Sequence, residues 1–312
     1  NTSCEGLYIS SNVFCTQCEA EGFRRITPFL DRPDVLAKYR VKIVADKKYP
    51  VLLSNGNLVQ KGDLPNEKHF AIYEDPFAKP SYLFALVVGK FACLKDNFKT
   101  GSGKNVSLNI YASEKNIDKC NFAMQVLKLA MAWDEKVFGL EYDLDIFNIV
   151  GIDDFNAGAM ENKSLNIYNA SRALLVDSKI SCDDDFDFIL QVVSHEYFHN
   201  YSGNRVTCRN WFELSLKEGF TNFRDHEFYY DTLKTPVARI NKVQDYKDKV
   251  YPEELCIGAH PVLPKSYINA NNLYSSNVYD KGCELINLLK TWLGKEKFCA
   301  GCKHYFEKFD GQ

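Results

Sequence analysis

Two histidines near the middle of the chain have the spacing of metal ligands. Positions 195–199 are H-E-Y-F-H, an H-E-x-x-H sequence with histidines at His195 and His199. Residues i and i+4 of an α-helix lie on one face, so both imidazoles can bind the same cation. The apolar run at 186–193 favours a helix at this point. The alternative is a surface helix whose two histidines bind nothing, and the rarity of the motif in a chain of this composition disfavours it.

A third ligand is expected on the next apolar segment. Glu218 follows His199 after 18 intervening residues, on a helix predicted over 211–230. It can reach the same cation if the two helices run antiparallel. Glu213 is the rival ligand, but it lies five residues from Glu218 and so points elsewhere on the helix. Three protein ligands leave a position for water, and they favour one catalytic Zn²⁺ per chain over a structural zinc ion.

Two further acids have a predicted role beside the metal. Glu196 lies about 100° round the helix from its neighbour His195, so it should not bind the ion. It can instead take a proton from the attacking water and later deliver it to the leaving amine. Asp225 lies two turns after Glu218 and could orient a ligand imidazole. It could equally be a solvated surface acid.

The elements that must position these residues change along the chain. Strands are predicted at 42–45, 51–53, 69–73, 82–88, 143–151 and 165–168, with a turn at 54–57 and strand breaks at Asp75-Pro76 and Lys79-Pro80. Helices are predicted at 117–138, 184–201, 211–230, 237–250, 276–293 and 295–309. The expected fold class is α+β. Residues 1–90 form a β-rich N-terminal domain, and 91–312 form a mainly helical catalytic domain.

Composition excludes several classes of protein and suggests a location. The net charge of −3 and the pI of about 6.1 give no basic surface for nucleic acid. No apolar run is long enough to span a membrane. Eleven cysteines, an odd and scattered set, do not form a recognisable disulfide framework, which indicates a reducing compartment. Glycans on the sequons at Asn162 and Asn200 would obstruct the predicted site, which also favours a cytoplasmic protein.

The motifs together resemble a known family. Gly158-Ala159-Met160-Glu161-Asn162 is the G-A-M-E-N signature, and it precedes the H-E-x-x-H sequence and Glu218. The chain therefore resembles the M1 family of gluzincin metallo-aminopeptidases, and within it the aminopeptidase N branch of bacteria and protozoa. The similarity extends from Glu5-Gly-Leu-Tyr to Val278-Tyr-Asp-Lys-Gly. It implies a thermolysin-like catalytic domain preceded by part of a β-rich domain.

The resemblance also implies a role for residues that spacing alone would not identify. Glu161 and Glu19 match the two carboxylates that bind the α-ammonium group of a peptide, so that only a free N-terminus is cleaved. Tyr279 matches the tyrosine that stabilises the oxyanion. The remaining matches are residues that contact the substrate, by backbone or in the pocket for its first side chain: Gln17, Gly158, Ala159, Met160, Asn162 and Tyr274. Ala157 is expected to line the same pocket.

Several departures from the family pattern bear on specificity. Ala157 stands where bacterial members carry Met, which suggests a roomier pocket for the first side chain. Ser194 stands where Gly is usual, and its hydroxyl could touch the site or bond its own helix. Residues 251–272 diverge on the leaving-group side. The family's domains also extend beyond both ends of this sequence, so the catalytic domain is expected to be incomplete at its C-terminus.

The expected activity is hydrolysis of the first peptide bond of peptides with neutral or basic first residues. Three alternatives stay open. An epoxide hydrolase of the leukotriene A4 hydrolase type would resemble G-G-M-E-N, whereas Ala159 fits a peptidase. An endopeptidase would have no need of an ammonium anchor. An inactive binding fragment is the third.

Overall fold

The computed structural model describes residues 3–312. The strands in this range are β1 (Gly6–Ser10), β2 (Val13–Gln17), β3 (Ala37–Asp46), β4 (Val51–Ser54), β5 (Asn57–Leu64), β6 (Lys68–Lys79), β7 (Leu86–Gly89), β8 (Ala92–Lys99), β9 (Asn105–Ala112), β10 (Ile146–Ile152), β11 (Ala159–Met160) and β12 (Leu165–Asn169). The helices are α1 (Asn121–Phe138), α2 (Ala170–Ala173), α3 (Asp183–Phe198), α4 (Glu218–Leu233), α5 (Val237–Glu254), α6 (Gly282–Leu293) and α7 (Lys295–Phe309). The fold is α+β, as the sequence predicts.

Two antiparallel sheets form the N-terminal part. One has the strand order β1-β2-β7-β4 and the other the order β3-β6-β5. Alternating burial along β1 (buried, exposed, buried) is typical of a strand that covers a core on one face. Leu52, Leu53 and Val87 of the first sheet are buried in an apolar core that also contains Val150 and Ile167 of a later sheet. Strands from both parts of the chain therefore share one core.

The third sheet lies under the helices and carries both parallel and antiparallel strands. Its order is β11-β12-β10-β9-β8, and β10 runs parallel to both β9 and β12. Leu108, Ile110 and Ile149 of this sheet are fully buried against helix residues such as Leu127. The strand β8 already belongs to this sheet, while the boundary near residue 90 stays a prediction.

The helices pack into a second core on this sheet. Helix α1 contacts α3, and α4 contacts α3 and α6. Arg224 and Asp134 form a fully buried ion pair between α4 and α1, and Arg224 also donates to the carbonyl of Phe198 at the end of α3 (2.7 Å). No helix among residues 3–312 is long and apolar enough to cross a membrane.

A tight bend at 54–57 joins the two N-terminal sheets instead of closing a hairpin. Gly56 has φ of +88°, and a Cβ there would lie 2.2 Å from the carbonyl oxygen of Glu74, so glycine is required. The side chain of Asn55 donates to the carbonyls of Leu83 and Lys163, both at 2.9 Å. The bend therefore anchors the segment that follows G-A-M-E-N.

Three predicted boundaries are wrong. Strand β6 continues through Pro76, because the register with β3 shifts there. At such a bulge no hydrogen bond of the sheet requires an N–H group from proline. Residues Ser81–Leu83 form a 3₁₀ turn, so the predicted strand at 82–88 shortens to β7. The predicted helix 211–230 is a 3₁₀ segment, Trp211–Leu216, followed by α4.

Candidate active site

Three side chains converge with the geometry of a metal site. Nε2 of His195 lies 2.9 Å from Nε2 of His199, and Oε2 of Glu218 lies 3.4 Å and 3.2 Å from these two nitrogens. Ligands about 2.0–2.1 Å from a tetrahedral zinc ion are about 3.3 Å from one another. The three atoms therefore fit one ion, and the set of two imidazoles and a carboxylate is typical of catalytic zinc.

Each imidazole is fixed by its other nitrogen. Nδ1 of His195 donates to Oδ2 of Asp225 (2.8 Å), and Nδ1 of His199 donates to the carbonyl of Ser202 (2.9 Å). With the hydrogens on Nδ1, the lone pairs of both Nε2 atoms face Glu218 and are free to bind a cation. Of the two interpretations of Asp225, the contact with a ligand imidazole is the one that the structure shows.

The local sequence explains how α3 presents the two histidines. Three aspartates, 183–185, occupy the first turn, where the helix dipole favours negative charge, and Asp185 accepts from the N–H of Cys182. His199 follows the last residue of α3 but keeps helical angles, and its N–H donates to the carbonyl of His195. Ser194 donates to the carbonyl of Gln191, so its hydroxyl bonds its own helix.

The change from the 3₁₀ segment Trp211–Leu216 to α4 positions Glu218, the candidate third ligand. Glu218 is the first residue of α4, and Glu213 lies in the preceding 3₁₀ segment and does not line the cleft. Gly219 allows close packing, since a Cβ there would lie 2.5 Å from Oγ of Ser215 and 2.9 Å from the carbonyl oxygen of Val278. Glu218 is therefore the acid that reaches the histidines, although the helix that carries it starts later than predicted.

Sequence reasoning missed Lys217. This side chain is completely buried, and its Nζ lies 2.7 Å from Glu19, 2.6 Å from Glu161 and 2.5 Å from Glu218, in each case from Oε1. A buried ammonium group needs such partners. The signal in the sequence was a lysine directly before Glu218.

The acid pair predicted to anchor a substrate lies beside the metal ligands. One oxygen each from Glu19, Glu161 and Glu218 lie within 4.8 Å of one another. The hydroxyl of Tyr274 donates to Oε1 of Glu19 (2.8 Å), and Asn204 donates to the backbone carbonyl of Glu161 (2.9 Å). These contacts fix two carboxylates at one end of the cleft.

Burial and charge act on these groups in opposite directions. Burial, together with the negative charge of Glu161, raises the pKa of Glu19 to about 8. Burial also acts to raise the pKa of Glu218, but the positive charge of Lys217 outweighs it and holds that pKa well below its usual range. Burial acts to lower the pKa of Lys217, and Glu161, Glu19 and Glu218 raise it well above its usual range. Lys217 thus carries a permanent positive charge among the acids.

Glu196 and Tyr279 face the same cleft. Oε2 of Glu196 is buried without a hydrogen-bond partner in the protein, so it is free to accept a proton from a bound molecule. The ring of Tyr279 stacks near that of His195, with centroids 6.4 Å apart. Burial raises the pKa of Tyr279 well above its usual range, so its hydroxyl stays a donor. Tyr279 lies in a π-helical turn, Asn277–Lys281, a geometry often found at functional sites.

A single cleft of 1160 Å³ unites these groups. All but one of the predicted site residues line it, namely Gln17, Glu19, Ala157, Gly158, Ala159, Met160, Glu161, His195, Glu196, His199, Glu218, Asp225, Tyr274 and Tyr279. The exception is Asn162, which is 1% exposed and does not line the cleft. Its predicted contact with substrate is not supported by this position.

Comparison with known proteins agrees with this geometry. The model of the Peptidase family M1 domain matches residues 122–312, and that of the Peptidase M1 N-terminal domain matches 1–83. The chain is 54% identical to aminopeptidase N of Escherichia coli K12 and 53% identical to that of Haemophilus influenzae, over its full length in both cases. It spans about 36% of the length of these relatives.

A solved structure gives the same result. The fold superposes on aminopeptidase A of Legionella pneumophila, crystallised with aspartic acid, with a TM-score of 0.93 and 36% identity. The match covers all of this chain and 35% of that one. Because a family model covers more than half of the sequence, including both helices that carry the candidate metal ligands, the chain belongs to peptidase family M1.

Proposed function

We propose that this chain carries the catalytic site of a zinc-dependent aminopeptidase. The reaction is hydrolysis of the first peptide bond of peptides with a free N-terminus, with broad acceptance of neutral and basic first residues. The observation that carries this proposal is that Glu19 and Glu161 line the same cleft as the candidate metal ligands. A metal site alone suits many hydrolases, whereas buried carboxylates beside it favour an ammonium group. The names of the relatives support the same activity.

We assign one zinc ion per chain to His195, His199 and Glu218. When bound, zinc supplies an acidified water and polarises the scissile carbonyl. The distances among the three ligand atoms and the outward hydrogen bonds of both imidazoles support this assignment.

The acid pair selects the end of a peptide. Lys217 offsets one negative charge of the acids around it, and a docked cation would lower the raised pKa of Glu19 and favour its ionised form. A terminal ammonium held by Glu19 and Glu161 places the first peptide bond next to His195 and His199. Later bonds lie beyond reach while the ammonium is docked, so one residue is removed at a time.

Backbone and side chains of the cleft orient the rest of the substrate. Strand β11, which contains Ala159, is an edge strand of its sheet among residues 3–312, so its outer side can pair with an extended peptide. Gln17 donates to Sδ of Met160 (3.5 Å), and with Ala157 and Tyr274 these residues would surround the first side chain. The small Ala157 favours a roomy pocket.

Proton transfer falls to Glu196. Its unpartnered Oε2 can accept a proton from the attacking water and return it to the departing amine. The hydroxyl of Tyr279 would donate to the oxyanion that develops on the scissile carbonyl. Both residues line the cleft on the side of His195.

Substrates with and without a free amine test the proposal. Alanyl, leucyl and arginyl amides should be cleaved, and their N-acetylated forms should not, because acetylation removes the ammonium group. A chelator should abolish cleavage, and added Zn²⁺ should restore it. Equal turnover of acetylated peptides would favour an endopeptidase, and turnover of an epoxide without any amide would favour the hydrolase alternative. Zinc binding with no turnover of any substrate would favour an inactive fragment.

Two broader features are also proposed. A cytoplasmic location is supported by the scattered cysteines. Further domains are supported by the greater length of the relatives.

A further inference from the structure

The candidate ligand His195 begins a series of contacts that leads away from the cleft. Its Nδ1 donates to Oδ2 of Asp225 (2.8 Å), and the other oxygen, Oδ1, lies 3.8 Å from Nε2 of His226. Nδ1 of His226 in turn lies 3.4 Å from Sγ of Cys283. Four side chains from α3, α4 and α6 thus connect the metal site to a thiol. Cys283 is 2% exposed and His226 9%.

The thiol determines which nitrogen of His226 carries hydrogen. Burial raises the pKa of Cys283 well above its usual range, so Sγ keeps its hydrogen, and the Asp225 carboxylate facing Nε2 favours the tautomer of His226 in which that thiol donates to Nδ1. Burial lowers the pKa of His226 to about 4, so the ring is neutral at pH 7. A neutral ring that accepts at Nδ1 carries its hydrogen on Nε2. That N–H therefore faces the Asp225 carboxylate, which is the favourable orientation towards an anion.

Close packing of α4 and α6 holds the two side chains together. A Cβ on Gly282 would lie 2.0 Å from Oγ of Ser215 and 3.3 Å from Cα of Gly219, so no larger residue fits without moving a helix. Cys283 follows Gly282 directly, so the close approach of α6 to α4 places its thiol in contact with α4. At 3.8 Å the contact of His226 with Asp225 is electrostatic instead of a full hydrogen bond.

We propose that His226 and Cys283 are positioning residues of the zinc site. Cys283 holds His226 with its Nε2–H towards Asp225, and His226 keeps Asp225 in the orientation that aims Nε2 of His195 at the metal. The inference rests on the zinc site proposed above. Loss of a group that contacts a ligand directly lowers metal affinity 10- to 100-fold. His226 acts one residue further out, so we expect a change of roughly 3- to 10-fold.

Zinc dissociation constants, measured by competition with a chelator, test the proposal. His226→Phe removes the N–H that faces Asp225 and should weaken zinc binding roughly 3- to 10-fold, whereas His226→Gln keeps a donor and should stay within about 2-fold. Cys283→Ala should weaken binding, and Cys283→Ser should recover most of the loss. Cys302→Ala, which removes another buried thiol (7% exposed) in α7 outside the cleft, is the control and should have no effect. The absorption spectrum of the Co²⁺ form should shift in His226→Phe and not in Cys302→Ala.

The outcomes separate this inference from the proposed function. Unchanged zinc affinity and an unchanged Co²⁺ spectrum in His226→Phe and Cys283→Ala, in a protein that binds zinc, would overturn this inference alone. A parent protein that binds no zinc would overturn the proposed function and this inference with it. If His226→Phe does not fold, the Cys283→Ala and Cys283→Ser pair decides by the same criterion.

Discussion

The ammonium group of Lys217 is bonded to the carboxylate of Glu161 inside the cleft wall, with 2.6 Å between Nζ and Oε1. Lys217 directly precedes Glu218, so one helix start supplies a metal ligand and the counter-charge of the substrate anchor. Without that counter-charge, Glu19, Glu161 and Glu218 would repel one another in a buried site. Lys217 therefore couples the geometry of the anchor to that of the metal centre.

Replacing Lys217 with Met tests this coupling, because Met has a similar shape and no charge. The three acids should move apart or take up protons, and kcat/KM for an alanyl amide should fall about 10- to 100-fold. The matched control is Lys290→Met, which removes the partner of Glu227 on the partly exposed face between α6 and α4. Activity of Lys217→Met within 2-fold of the parent, measured on folded protein, would show that the anchor does not depend on this charge.

Neutralising one carboxylate of the anchor should lower kcat/KM for a substrate with a free amine. Glu161→Gln keeps the shape of the side chain and removes one charge-assisted hydrogen bond, a loss of about 1.5–3 kcal/mol or roughly 10- to 100-fold in kcat/KM. Glu213→Gln, whose parent residue lies outside the cleft, serves as the control. The role of Glu161 is refuted if both variants cleave alanyl amide as well as the parent.

Metal removal should lower thermal stability. Zinc at 100 times its dissociation constant adds about 2.7 kcal/mol to the free energy of unfolding. For a chain of this size we expect chelation to lower Tm by roughly 3–6 °C, as calorimetry can measure. His199→Ala should show no such shift. An equal shift in that variant would place the ion elsewhere.

Acid should destabilise the fold through His226. The folded protein holds the pKa of this imidazole at about 4, below the value of about 6.5 that an exposed histidine has. The unfolded chain therefore binds a proton that the folded protein does not, and stability is lost as pH falls through this range. From pH 7 to pH 5 the contribution to the free energy of unfolding should drop by about 2 kcal/mol.

Urea unfolding of metal-free protein measures this contribution without competition between protons and zinc. His226→Gln should lose about 2 kcal/mol less than the parent over the same pH range. Asp225, Lys242, Glu284 and Arg239 also act on this imidazole, and all four remain in the variant. Equal pH dependence in parent and variant would show that the imidazole is not held neutral.

The metal site was predictable from sequence because helical spacing is local. His195 and His199 share a face through i and i+4 geometry, and α3 forms where its apolar run predicts it. The prediction that Glu218 is the third ligand required the assumption that the two helices run antiparallel. The boundary of α4 was wrong because a 3₁₀ segment and an α-helix have similar apolar spacing over so few residues.

The anchor could not be predicted from spacing, since its parts are distant in sequence. Glu19 lies on the segment after β2, Glu161 after β11 and Lys217 before α4, and only the tertiary structure brings them together. Resemblance to the family indicated the two glutamates but not Lys217. Asn162 shows the converse, because its place in G-A-M-E-N does not bring its side chain into the cleft.

A crystal structure of zinc-loaded protein, with anomalous data at the zinc edge, tests the central claim most directly. We predict one anomalous peak about 2.0–2.1 Å from Nε2 of His195, Nε2 of His199 and the nearer carboxylate oxygen of Glu218. A peak bound by other residues, or no peak between these three side chains in protein shown to contain zinc, would contradict it.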